Sequence, residues 1–167
     1  MRMNSLMRSL CQTASEKEGA RTLPEELRDL VERGWRIGPN GALLFAACYD
    51  DGAGWRSDWR AEEIAQHELE VNDIGIPCGD FPKERAPFLN GAVARSYAFS
   101  RAALGAARGL PASELLVAII SVGVDDDYLM HGATVKFATR RDGFPTAYDD
   151  LERFQYEAMA VIEGRVE

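Results

Sequence analysis

Two rhythms of apolar residues alternate along the chain, one helical and one of strand period. Thr22-Leu23-Pro24-Glu25 joins a cap residue, a first-turn proline and an early acid, so a helix starts there and Gly34 ends it. Trp35-Arg36-Ile37 and Ala42 to Tyr49 flank Gly38-Pro39-Asn40-Gly41, which predicts a β-hairpin whose second arm is buried on both faces. From Arg60 to Asn72 the apolar positions Ala61, Ile64, Ala65, Leu69 and Val71 share one side of a helix. Ile74 to Pro87 holds too many glycines and prolines for a regular element and reads as a structured loop. A long helix is expected from about Pro87 to Arg108. A buried strand follows over Ser113 to Val124, then a turn from Asp125 to Gly132, then a half-solvated strand from Ala133 to Arg140. Thr146-Ala147-Tyr148-Asp149 resembles a capping box, and Leu151, Phe154, Ala158, Val161 and Ile162 keep helical spacing up to Gly164. This order predicts an α+β fold, a single domain with a small, largely antiparallel sheet of about four strands (two hairpins) packed with about four helices. Residues 1–20 read as a loose arm and 21–167 as the domain.

Two details interrupt the pattern. Glu68 projects into the apolar stripe of its helix with Asn72 one turn on, so both need partners inside the protein. The 87–108 helix carries Gly91, Ala94, Ala98 and Ala102 opposite its apolar arc, as a central helix covered on both sides would. Arg95 or Arg101 from that helix is the expected partner of Glu68.

Composition narrows the class. With 167 residues, 46% hydrophobic and 28% charged, the chain can bury a core without staples. Cys11, Cys48 and Cys78 are odd in number and widely spaced, which suits reduced thiols in a cytoplasm better than disulfides. No export signal, membrane-spanning stretch or phosphate-binding glycine loop is legible. The net charge is −8. Most of it is regional: Asp50, Asp51, Asp58, Glu62, Glu63, Glu68, Glu70, Asp73 and Asp80 face only Arg56 and Arg60 over the same stretch. Such a field repels nucleic acid and attracts a basic protein.

Two histidine clusters bear on chemistry. Glu63, His67 and Glu70 lie on one helical flank, and Asp125, Asp127 and His131 share a turn after a buried strand; either could hold a divalent metal. Neither completes a known motif, and a salt-bridged helix face and a plain hairpin tip are the simpler readings. Cys48 reads as an inert core thiol and Cys78 as a loop thiol without a neighbouring base. Exposed aromatics among acids point instead to an interface, with Trp55, Trp59 and Tyr156 as anchors. The expected binding set is therefore Trp55, Asp58, Trp59, Glu62, Glu63, Glu70, Asp73 and Tyr156, with Asp125, Asp126 and Asp127 as a second prong. No cofactor is expected. In general character the chain resembles small bacterial immunity proteins, though it carries no family motif. The leading expectation is an acidic inhibitor that masks a basic partner, an immunity protein or antitoxin against a toxin acting on nucleic acid. A small metal-assisted hydrolase and a homo-oligomeric scaffold subunit are the alternatives.

Overall fold

The computed structural model describes residues 1–13, 23–49 and 56–164. Five antiparallel strands form the main sheet: β1 (Arg2–Met3), β4 (Asp73–Gly75), β5 (Leu116–Gly123), β6 (Ala133–Thr139) and β7 (Glu157–Glu163), in the order β1-β7-β5-β6-β4. A separate hairpin pairs β2 (Trp35–Ile37) with β3 (Leu43–Phe45). The helices among the described residues are α1 (Ser5–Thr13), α2 (Glu25–Arg33), α3 (Ala61–Val71), α4 (Arg85–Ala106) and the single turn α5 (Tyr128–His131). The α+β class, the antiparallel sheet and both hairpins agree with the sequence pattern. No helix of the described residues is long and apolar enough to cross a membrane.

β5 is the middle strand, and its alternation divides the molecule into two layers. Leu116, Ala118, Ile120 and Val122 join Phe88, Leu89, Val93 and Phe99 of α4 in the main core. Val117 and Ile119 join Leu69 of α3 and Leu151 in a smaller cluster on the other face, with Phe144, Tyr148 and Phe154 against it. The β2–β3 hairpin wedges beside the sheet. Phe45 stacks on Trp35 at 3.9 Å between centroids and meets Phe137 edge-on at 5.3 Å, while Leu44 turns to Ile64 of α3. Ala42 to Phe45 are fully buried, as expected of that arm, but the strand stops at Phe45 and Ala46 to Cys48 form a turn with Ala47 and Cys48 exposed.

Three expectations change. The segment expected to be the last helix is two 3-10 turns (Thr146–Tyr148 and Leu151–Arg153) followed by strand β7. Helical spacing misled because β7 is buried on both sides, so Ala158, Ala160 and Ile162 facing α4 and Met159 and Val161 facing the smaller cluster erase the two-residue alternation. Asp73–Gly75, expected at a helix end and loop start, pairs with β6 as an edge strand. Residues 1–13, expected in a loose arm, are tied down: β1 closes the free edge of β7, and Asn4 and Met7 are buried. The Asn4 side chain donates to the Glu157 carbonyl at 2.8 Å and accepts from Met7 N and Met159 N, both at 3.0 Å.

Glu68 is fully buried, but neither Arg95 nor Arg101 is its partner. One carboxylate oxygen accepts from Leu43 N at 2.8 Å; the other accepts from Thr139 N and the Thr139 hydroxyl, both at 2.7 Å. Arg141 lies 3.9 Å away. Asn72 completes the seam, accepting from Phe45 N at 3.0 Å and donating to the Leu43 carbonyl at 2.8 Å and the Phe137 carbonyl at 3.1 Å. These two side chains give the short β3 strand the backbone partners that a neighbouring strand would supply. Arg95 instead grips Asp80 with contacts of 2.7 and 2.6 Å and lies 4.0 Å over the Phe81 ring. Gly91 of α4 makes room for that ring, since a Cβ there would sit 3.1 Å from it.

Candidate functional site

The acids of the 50–80 stretch are less available than the sequence suggests. Asp58 is paired with Arg56 at 2.9 Å, Asp73 with its cross-strand neighbour Lys136 at 3.0 Å, and Asp80 with Arg95. Glu63 folds back to accept from Arg60 N at 2.8 Å, capping its own helix, and Gln66 donates to Glu70 at 2.8 Å. Glu62 is exposed and packs against Gly143. His67 sits under Trp59, 4.9 Å between ring centroids, so Glu63, His67 and Glu70 form a shallow dent rather than a metal centre. No group of three His, Cys, Asp or Glu side chains among the described residues is placed to hold a metal ion. Trp55, Asp50 and Asp51 lie outside the described residues.

At the opposite end of the sheet a more organised arrangement appears. α3 and the 144–154 segment cover the Val117 half of the outer face. The half with Ser121, Thr134 and Glu157 is left open. It forms a cavity of about 450 Å³ lined also by Asp125, His131 and Tyr156. Ser121 pairs with Thr134 across β5 and β6, and Gly123 with Glu157 across β5 and β7, so the sheet register alone converges these groups. The Ser121 hydroxyl donates to one Glu157 oxygen. The turn from Asp125 folds back through α5, so His131 Nδ1 meets Asp125 Oδ1 at 2.9 Å. Gly123 permits this return, because a Cβ there would lie 2.5 Å from His131 Cβ. Asp127 stands at the start of α5 without a side-chain capping bond and does not line the cavity, so the expected Asp125, Asp127, His131 trio is reduced to a pair.

The rim is apolar. Leu129 and Met130 of α5 are 46% and 86% exposed, and Tyr156 is 69% exposed, three of the six large hydrophobic side chains left in solvent among the described residues. Tyr156 lines the cavity from one side of His131. Leu129 and Met130 border a second hollow on the other side, lined by Ile76, Phe81 and Phe88. The expectation of Tyr156 on a final helix is corrected, since it stands just ahead of β7. Arg85 holds the turn through the carbonyls of Val124 and Asp125 and lies 5.1 Å from the Tyr128 ring. Its guanidinium thus binds backbone rather than the Asp125 carboxylate.

An adjoining cavity of about 360 Å³ shares Ser121, Thr134 and Glu157 and continues to the Asp73–Lys136 pair and Tyr148. Burial, with Asp73 and Glu157 adding to it against Lys136, pushes the Tyr148 phenol above its ordinary range. Sequence reasoning named Asp125, His131 and Tyr156 but missed Ser121, Thr134 and Glu157. A Ser in an apolar strand and a Glu at a strand start carry no signal until the register is known. No protein-family model, curated protein or solved structure matches the chain.

Proposed function

We propose that this chain is an acidic protein-binding inhibitor that masks a basic partner, most concretely an immunity protein or antitoxin neutralising a toxin that acts on nucleic acid. The observation that carries this reading is the sheet end, where Tyr156 stands exposed beside Asp125 and Glu157, and Leu129 and Met130 stand exposed on the other side of His131, with Asp126 and Asp127 exposed on the same turn. Stable interfaces pair such apolar and aromatic anchors with a charged rim, and monomeric surfaces seldom gather them without use. A toxin that grips phosphates must be cationic, so carboxylates offered in their place gain association rate. The α3 flank with Trp59, Glu62, Glu63 and Glu70 contributes steering, its charges being partly matched at home.

Capture from native extract, partner identification and reconstitution with purified partner test the proposal. The partner should be basic. Met130→Asp with Tyr156→Ala should accelerate its dissociation by about 100-fold, as loss of two anchors does. An acidic partner, or unchanged dissociation from the double variant, would overturn it.

A further inference from the structure

We infer that the open end of the sheet's outer face is a receptor for a single arginine side chain, the guanidinium of the basic partner entering between Asp125 and Glu157. The inference rests on the protein-binding reading and deepens it by naming what enters the cavity.

Charge complementarity selects the occupant. The lining contains two carboxylates and no Lys or Arg. Each carboxylate has one oxygen engaged inside the protein, Asp125 Oδ1 by His131 and Glu157 Oε2 by Ser121. The other oxygens, Asp125 Oδ2 and Glu157 Oε1, have no hydrogen-bond partner among the described residues, and two acceptors supplied from different strand ends suit a donor that reaches both at once. A guanidinium presents five N–H groups in one plane, whereas an ammonium concentrates its charge at a point. The exposed Tyr156 ring offers that plane a face to stack on, and the Thr134 hydroxyl another acceptor. The positions of both acids are set in advance. Ser121 holds Glu157, His131 holds Asp125, and Gly123 lets His131 close over the sheet. Little ordering is then left to do on binding.

N-acetyl-arginine N-methylamide, titrated into the isotope-labelled full chain and followed by amide chemical shifts, is the test. The neutral isostere N-acetyl-citrulline N-methylamide serves as the control. Saturable shifts at Ser121, Gly123, Gly132, Thr134 and Glu157 with the arginine probe alone are expected. Binding should weaken about tenfold in Glu157→Gln and in Asp125→Asn, the amide spectrum showing that both variants stay folded. Equal response to both probes, shifts confined to the α3 flank, or unchanged affinity in both variants would overturn the inference. Because the probe needs no protein partner, its failure is distinct from failure of the capture experiment. A cavity that ignores arginine on a chain that still captures a basic protein removes the receptor and leaves the docking surface. A cavity that binds arginine on a chain that captures no basic protein removes the docking reading and with it the arginine's proposed source.

Discussion

Glu68 shows how a single position can be legible while its role is not. Its place in the apolar stripe was readable from helix geometry, and so was the need for partners. That those partners are the backbone of β3 and β6 depends on how the hairpin docks, which no spacing along the chain encodes. Glu68→Leu is expected to destabilise the fold by about 3–5 kcal/mol, because two backbone N–H groups, of Leu43 and Thr139, would lose their acceptors in the interior. Urea denaturation measures it, and a variant as stable as the parent would mean that the seam is held by Asn72 alone. Cysteine chemistry follows the same logic. Cys48 was expected in the core but is exposed beyond β3. Burial, eased by Arg95 and reinforced by Asp80, pushes the Cys78 thiol up to about 11. Since the thiolate is the reacting form, Cys78 should alkylate slowly at neutral pH, and its rate should rise steadily with pH toward about 11. Residue-resolved mass spectrometry after iodoacetamide treatment would show the profile.

Elements were readable wherever one face met solvent or a turn punctuated the chain: α2, α3, α4, both hairpins and the long strand β5. Reading failed at β7, which like β5 is covered on both faces but lacks its run of β-branched residues. β7 carries alanines that are also good helix formers, and its strand identity comes from pairing with β5 and β1. β1 has two residues and could not be recognised by any periodicity, but it covers the edge of an apolar strand. Asn4→Leu, which removes the clamp to Glu157 and Met159, is expected to cost about 2–4 kcal/mol. Deleting residues 1–13 should also expose the β7 edge and produce self-association visible by light scattering. A monomeric truncated chain would contradict that role for β1. The same clasp is sensitive to acid. Ser5 donates from both its hydroxyl and its backbone N–H to Glu152, at 2.6 and 2.9 Å, and with Arg8 holds its carboxyl below the ordinary 4.5. A depressed folded-state value means that the contribution is complete above the ordinary value and fades as pH falls through the folded one. Met7 methyl signals should therefore report loosening of α1 on the acid side, and Glu152→Gln should abolish that pH dependence.

For the molecule as a whole, net acidity and its uneven distribution were evident from composition, but which charges remain outward was not. Pairing with Arg56, Lys136 and Arg95 removes much of the field assigned to the 50–80 stretch, and the folded chain places three of the six exposed large hydrophobic side chains among the described residues at the other end of the sheet. Rates should separate the two surfaces. Reversing Glu62, Glu63 and Glu70 should slow association with a basic partner about tenfold at low salt and little at high salt, leaving dissociation unchanged. An effect of that triple variant on dissociation would make α3 part of the contact itself. The clamp that Asn4 places on the Glu157 carbonyl carries a practical corollary. The amino-terminal residues brace the strand that floors the mouth of the cavity, so a purification tag fused ahead of Met1 would load a segment that supports that mouth, and a bait built that way would misreport its own affinity.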